Sequence, residues 1–201
     1  MKKLTYILPA AIIAFTGFFT ACSPEDEQVL PSYSPTIYLE DFQKVIDGTF
    51  DETRFTNVAE EGSKKWFSNS YNGNAYYEFS PFQSNENLNV AWFVTPSINI
   101  DLANTKRLTF QTAQHHVVNT ENNFLQVLIS TDFKGDVTTA TWTEVSFNGP
   151  KIGSGFNYDF FNSGAVDLSQ FSGNIHIAFK ATGGTASNNA GAYMIDNIKV
   201  F

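Results

Sequence analysis

The chain is 201 residues long and carries twenty Asp and Glu against twelve Lys and Arg, a formal charge of −8 at pH 7. Coulomb repulsion at that charge excludes nucleic acid and anionic lipid surfaces as natural partners, while it suits solubility and calcium binding equally. A single cysteine excludes an internal disulfide, and the length fits one domain with or without a tail.

The chain opens on Met1-Lys2-Lys3, and residues 4–19 are almost wholly apolar. A short positive start followed by such a stretch is the pattern of a secretory signal. The stretch falls short of the ~20 apolar residues a membrane span needs, and it contains Pro9. It runs into Phe19-Thr20-Ala21-Cys22, which resembles the lipobox of bacterial lipoproteins. The resemblance implies cleavage before Cys22 and acyl chains on its sulfur and amine. Several chains hold a protein on a membrane stably where one does not. Residues 1–21 are therefore read as a signal peptide. Residues 22–36 are read as the lipidated cysteine and a tether, because Ser23-Pro24-Glu25-Asp26-Glu27-Gln28 is polar and acidic and Pro31 and Pro35 follow. Acids just after the cysteine resemble the surface-export signal of Bacteroidota lipoproteins. The expected location is the outer membrane, on the cell surface, with the lipid as the sole anchor. A solvated linker on the periplasmic side is the alternative.

From Ile37 onward the pattern is strand-like and runs to the end at residue 201. Tyr38, Glu40 and Phe42 are expected to share one strand face. Asn72-Gly73-Asn74 reads as a turn. Val90-Ala91-Trp92-Phe93-Val94 is apolar on both faces and reads as a central strand. Ile98, Ile100 and Leu102 alternate with Asn99 and Asp101; Leu108 and Phe110 alternate with Thr109 and Gln111. Leu125, Val127 and Ile129 share a face, and so do Ile175, Ile177 and Phe179. Asn148-Gly149-Pro150 and Gly183-Gly184 break these runs. Many short alternating strands with such punctuation predict an all-β, antiparallel β-sandwich of jelly-roll type, and about 165 residues suffice for one core of that kind.

Several segments, in order, resemble one family. Asn87-Leu88-Asn89-Val90-Ala91-Trp92-Phe93-Val94-Thr95-Pro96 is one. Leu125-Gln126-Val127-Leu128-Ile129-Ser130-Thr131-Asp132-Phe133-Lys134-Gly135-Asp136 is the second. Ala140-Thr141-Trp142, Val166-Asp167-Leu168-Ser169, Ile177-Ala178-Phe179-Lys180 and the terminal Ile195-Asp196-Asn197-Ile198-Lys199-Val200 complete the set. Together they resemble the choice-of-anchor J and cleaved-adhesin jelly-roll domains of Bacteroidota, including the related domain of unknown function DUF5017. The resemblance implies a galactose-binding-like β-sandwich, service as an adhesin or substrate-binding accessory module, and in some members a structural calcium ion. Fold kinship alone does not fix function.

Candidate sites divide by chemistry. Glu40 is read on a strand face with Tyr38 and Phe42, and Asp196 on one with Met194, Ile198 and Val200; an unpaired carboxylate on such an apolar face is costly. If the first and last strands adjoin, the two acids could meet around a calcium ion, with carbonyls of the 72–75 turn completing an oxygen shell. The family resemblance also places calcium near these acids. The alternative is that both end strands in water or accept backbone hydrogen bonds. Asp132, Asp136 and Asp167 read as turn residues. His115 and His116 are adjacent on a strand, where neighbours face opposite ways, so they make a poor shared metal pair; with His176 they are expected at the surface. Gly153-Ser154-Gly155 lacks the frame of a nucleophile elbow. A carboxylate pair could in principle hydrolyse a glycoside, but with twenty acids that signal is nearly empty. The aromatics Tyr71, Tyr76 and Tyr77 flank the 72–74 turn, and Phe156, Tyr158, Phe160 and Phe161 crowd a Gly-rich stretch. Tyr71, Tyr76, Phe156 and Tyr158 are taken as the ligand-binding set, since aromatic faces stack on sugar rings and loops on a rigid scaffold carry binding. The expected function is a non-catalytic binding or adhesion module for glycan or glycoprotein. A structural component bound to another outer-membrane protein is the second reading, and an unrecognised hydrolase the third.

Overall fold

The computed structural model describes residues 34–151, 158–187 and 189–201. The expected signal and lipidated Cys22, the Gly153-Ser154-Gly155 stretch and Phe156 lie outside the described residues. Within them the chain runs through β1 (Tyr38–Glu40), β2 (Thr56–Glu61), β3 (Phe67–Tyr71), β4 (Asn74–Phe79), β5 (Asn89–Val94), β6 (Ile98–Asn99) and β7 (Arg107–His115). It continues through β8 (Phe124–Ser130), β9 (Thr143–Val145), β10 (Phe161–Asn162), β11 (Val166–Asp167), β12 (Asn174–Gly183) and β13 (Ala192–Val200). Helix among the described residues is limited to single 3-10 turns at Gln43–Val45, Glu52–Arg54 and Ile100–Leu102.

The strands form two antiparallel sheets. The first has the order β10-β7-β13-β4-β3, with β1 added to β13 and β11 to β7. The second has the order β2-β5-β12-β8-β9, with β6 added to β12. Their inner faces close on Phe42, Tyr77, Phe79, Phe93, Phe110 and Phe179, all fully buried. The rings interlock: Tyr77 lies 4.4 Å and Phe55 4.8 Å from Phe93, centroid to centroid. Such pairs add about 0.5–1.5 kcal/mol each beyond the area they bury.

Alternation sorts most side chains as expected. Val127 and Ile129 of β8 and Ile175, Ile177 and Phe179 of β12 join the inter-sheet core. β5 pairs with β2 on one side and β12 on the other, and all six of its residues are buried. Its two apolar faces have separate partners. Ala91 and Phe93 face the core; Val90, Trp92 and Val94 lie under the loop that carries Phe133, Val137 and Trp142. Asn72 and Gly73 both have positive φ (50° and 80°), the two-residue turn that suits the right-handed twist of a hairpin, and they join β3 to β4.

Two local expectations fail. β1 stops at Glu40, and Phe42 reaches the core from a left-handed backbone (φ 54°) rather than along a strand face. β6 stops at Asn99, whose side-chain oxygen accepts from the Asp101 amide and starts a 3-10 turn; Leu102 is therefore 67% exposed instead of sharing a face with Ile98 and Ile100.

Candidate functional site

The site is decided by one irregularity in β13. Tyr193 and Ile195 point into the core, so Met194 and Asp196 point outward. Ile198 and Val200, two and four residues beyond Asp196, should then also point outward, yet both are core residues. Between Asp196 and Lys199 the pairing with β7 shifts register, and Asn197 adopts φ 51°. This bulge inserts one extra residue and reverses the alternation. Asp196 thus shares the outer face with Met194 and not with Ile198 and Val200, which corrects the expected common face.

The same shift separates the two acids expected to meet. β1 does pair with β13, and Glu40 lies opposite Ile198, on the core side. There its Oε1 accepts from the Phe42 amide at 3.1 Å and its Oε2 lies 3.7 Å from the Arg54 guanidinium. Burial pushes its carboxyl pKa up despite those partners. Asp196 instead faces outward beneath the 72–73 turn and is fully buried. It accepts from Asn74 Nδ2 at 3.0 Å, the Asn197 amide at 2.6 Å and Asn197 Nδ2 at 3.1 Å. Burial lifts its pKa to about 6, and the charge of Asp41 adds to the lift. Gln43 ties the chain after β1 to the turn: in the orientation that satisfies both its amide atoms, its nitrogen donates to the Gly73 carbonyl at 3.1 Å. Among the described residues no three His, Cys, Asp or Glu side chains converge as a metal-binding group. A cation at Asp196 would depend on Asp41, the Asn74 amide oxygen and backbone carbonyls, and Glu40 does not point into that space.

Beside Asp196 the outer face of the first sheet opens into a cleft of about 490 Å³ lined by Tyr71, Asn74, Tyr76, Tyr158, Phe160 and Met194. The strand order explains the convergence. Tyr71 faces Asn74 across the β3–β4 hairpin, Tyr76 lies along the same face, and Met194 is two residues from Asp196 on β13. Tyr76, Met194 and Ala113 of β7 form a buried floor, with Phe160 packed edge-on against Tyr76 at 5.5 Å. Tyr71 and Tyr158 stand at the rim, 71% and 53% exposed. Of the four aromatics proposed from the sequence as ligand contacts, the fold brings Tyr71, Tyr76 and Tyr158 into one cleft, and Phe156 lies outside the described residues. Burial raises the Tyr76 hydroxyl pKa, with Glu78 contributing, so this phenol stays protonated and can donate.

Sequence reasoning missed a polar line beside these rings. Asn69 Nδ2 donates to Glu78 Oε2 at 2.9 Å, and His115 Nε2 lies 3.4 Å from Glu78 Oε1. Asn69 and Tyr76 are cross-strand partners, and Glu78 follows Tyr76 on the same face. The signal was present in Ala75-Tyr76-Tyr77-Glu78-Phe79, where period two puts Glu78 beside Tyr76. His115 stacks on Tyr158 at 4.6 Å between ring centroids.

The adjacent histidines lie at the surface as expected, His116 exposed and His115 half-buried, but they do not face opposite ways. His116 has φ 59°, which ends the strand and swings its ring back toward His115. Their Nδ1 atoms lie 2.7 Å apart. His176 behaves as a satisfied surface residue, with Nδ1 2.9 Å from the Thr95 carbonyl. Asp136 and Asp167 hold turns by accepting from the amides of Thr138 and Ser169. Asp132 does the same for the loop over Trp92, accepting from the Thr141 amide.

Comparison with known proteins bears on this architecture. The K1 cleaved adhesin domain of Lys-gingipain from Porphyromonas gingivalis W83 superposes with a TM-score of 0.53 at 16% identity, over 82% of this chain and 96% of that one. The K3 cleaved adhesin domain of the same protein gives 0.51 at 12% identity, over 83% and 99%. These likenesses establish a cleaved-adhesin-like jelly roll. No curated protein sequence matches the chain. The sequence model of one family, described as a domain of unknown function, matches residues 96–201, which carry strands β6 to β13 and with them the bulge and the histidine pair. Because that match spans more than half of the chain, the protein belongs to the DUF5017 family.

Proposed function

We propose that this chain is a non-catalytic binding module that takes glycan or glycoprotein in the cleft on the outer face of its first sheet. The observation that carries the reading is the convergence of Tyr71, Tyr76 and Tyr158 with Phe160, Met194 and Asn74 around about 490 Å³ of open space. That volume is in the range of small-molecule sites, and the walls combine apolar faces with a few polar groups, as such sites do. Aromatic rings offer flat apolar area to the C–H faces of a sugar, while Asn74, the Tyr76 hydroxyl and the Asn69–Glu78 pair offer donors and acceptors for hydroxyls. Glu78 and Asp196 make the surroundings acidic, which favours neutral glycans over polyanionic ones. The adhesin-domain fold is consistent with this role. An array of neutral and acidic glycans probed with residues 23–201 tests it. The expected result is saturable binding to a neutral glycan, weakened about tenfold by Tyr158→Ala and by Tyr71→Ala, the size of effect a lost stacking contact gives. Silence across the array, together with a co-purifying outer-membrane protein, would favour the assembly reading instead.

Two further features belong to the proposal. The lipobox-like Phe19-Thr20-Ala21-Cys22 and the acids after it support a lipid-anchored protein of the outer membrane, displayed on the cell surface. The buried Asp196 carboxylate, with Asp41 and the oxygens of the 73–74 turn around it, supports a structural calcium ion there. Such an ion would neutralise the carboxylate and tie the β13 bulge to the β3–β4 turn, fixing one wall of the cleft.

A further inference from the structure

We propose that His115 and His116 form a two-imidazole chelate for a divalent transition-metal ion of tetragonal preference, copper(II) above all, held between their facing Nδ1 atoms. Two imidazole nitrogens 2.7 Å apart cannot both present lone pairs without something between them. Either one proton is shared, or a cation sits in front of both. Metal–imidazole bonds of about 2.0 Å across this gap subtend roughly 85° at the metal. That is close to the ~90° between adjacent positions of a square-planar or tetragonal ion, and well short of the ~109° of tetrahedral zinc. Copper(II) also stands at the top of the affinity order for nitrogen sites.

The surroundings prepare the pair for this. Glu78 Oε1 lies 3.4 Å from His115 Nε2 and so holds the ring proton on that nitrogen, leaving Nδ1 with its lone pair outward. A carboxylate behind a ligating imidazole is the usual outer-shell support of metal sites. Tyr158 stacks on the other side of the His115 ring at 4.6 Å and limits its rotation. The left-handed backbone of His116 (φ 59°) sets the second ring in place. Both histidines line a second hollow of about 360 Å³ with Ser80, Phe82, Ser187 and Ala190, which leaves room for water or another ligand at the remaining coordination positions. Binding moves the His116 proton from Nδ1 to Nε2, so that the Nδ1–Nδ1 hydrogen bond is exchanged for two metal–nitrogen bonds.

The test titrates copper(II) chloride, in a non-coordinating buffer at pH 7.5, into the full chain carrying Cys22→Ser so that no thiol competes. The expected result is one ion per chain with an affinity in the micromolar range and a tetragonal electron-spin resonance spectrum split by two equivalent nitrogens. His115→Ala and His116→Asn should each weaken binding at least tenfold, Asn being chosen because it tolerates the left-handed backbone. Glu78→Gln should weaken it about tenfold. His176→Ala should leave it unchanged. Circular dichroism confirms that each variant is folded, and if His115→Ala is not, His116→Asn alone decides. No saturable binding would mean a shared proton only and would overturn the proposal. So would binding that survives His116→Asn, or a spectrum with a single nitrogen.

Discussion

At the residue scale the buried carboxyl of Asp196 ties stability to pH. Its three hydrogen-bond donors are neutral amides, and its burial still lifts the carboxyl from an ordinary 3.8 to about 6. The folded state therefore binds a proton more tightly than the unfolded chain does. Stability from this group is greatest below pH 4, falls as pH rises from about 4 to about 6, and stays reduced above. The loss is about 2 kcal/mol with solvent screening allowed for. In calcium-free buffer the melting temperature of the wild type should decline across that window relative to Asp196→Asn, whose profile should be flatter. The depressed carboxyls of Asp101, Asp132 and Asp167, held by hydrogen bonds, act the other way and only at lower pH, so they cancel in that comparison. At pH 7.5, EGTA should lower the melting temperature of the wild type and leave Asp196→Asn unmoved. Coincident melting curves of the wild type with and without EGTA would count against calcium at this position.

At the element scale the decisive feature is the bulge in β13. A strand that alternates without interruption would put Asp196, Ile198 and Val200 on one side; the extra residue at Asn197 sends the acid outward and the two aliphatics inward. Asn197 suits the task because it tolerates positive φ and because its Nδ2 donates to Gln111 Oε1 at 2.8 Å as well as to Asp196. Replacing it separates the two contributions. Asn197→Gly keeps the backbone but loses the hydrogen bonds and should cost about 1 kcal/mol in urea unfolding. Asn197→Val adds a branched side chain in the left-handed region and should cost about 2–3 kcal/mol. Equal costs would mean that the backbone conformation is not what the position demands. His116 is a second case of the same kind, where one left-handed residue at the end of β7 turns a ring that alternation would have sent to the opposite face.

At the scale of the whole molecule, the outer faces of the two sheets differ. The outer face of the second sheet is closed by the 131–142 loop, with Trp142 packed on Trp92 at 5.1 Å and Lys180 over the Trp92 ring. Among the described residues, the outer face of the first sheet carries hollows of about 490 Å³ and 360 Å³, where the proposed binding is placed. If the leader is a lipoprotein signal, cells fed a labelled fatty acid should incorporate it into the wild type. Cys22→Ala should abolish the label and shift the protein from the detergent phase to the aqueous phase on extraction. Label retained by that variant would rule out the anchor as read.

Much of this protein was legible without a structure. Period two in β8 and β12, with the doubly apolar run of β5, determined the all-β class and most of the core, because alternation is a local property that any half-buried strand must display. The turn at Asn72-Gly73 was legible for the same reason, since those residues reach positive φ at little cost. Aromatics near it could be named as binding candidates, and three of the four proposed lie in one cleft. Which acids meet, which way the adjacent histidines face and that Glu78 joins the site were decided only by the tertiary structure. Asn74 reaches Asp196 across 122 residues of sequence, and it does so because β4 lies beside β13 and a bulge reverses the alternation there. Sheet order and bulges arise from the sum of long-range packing, which no local period encodes.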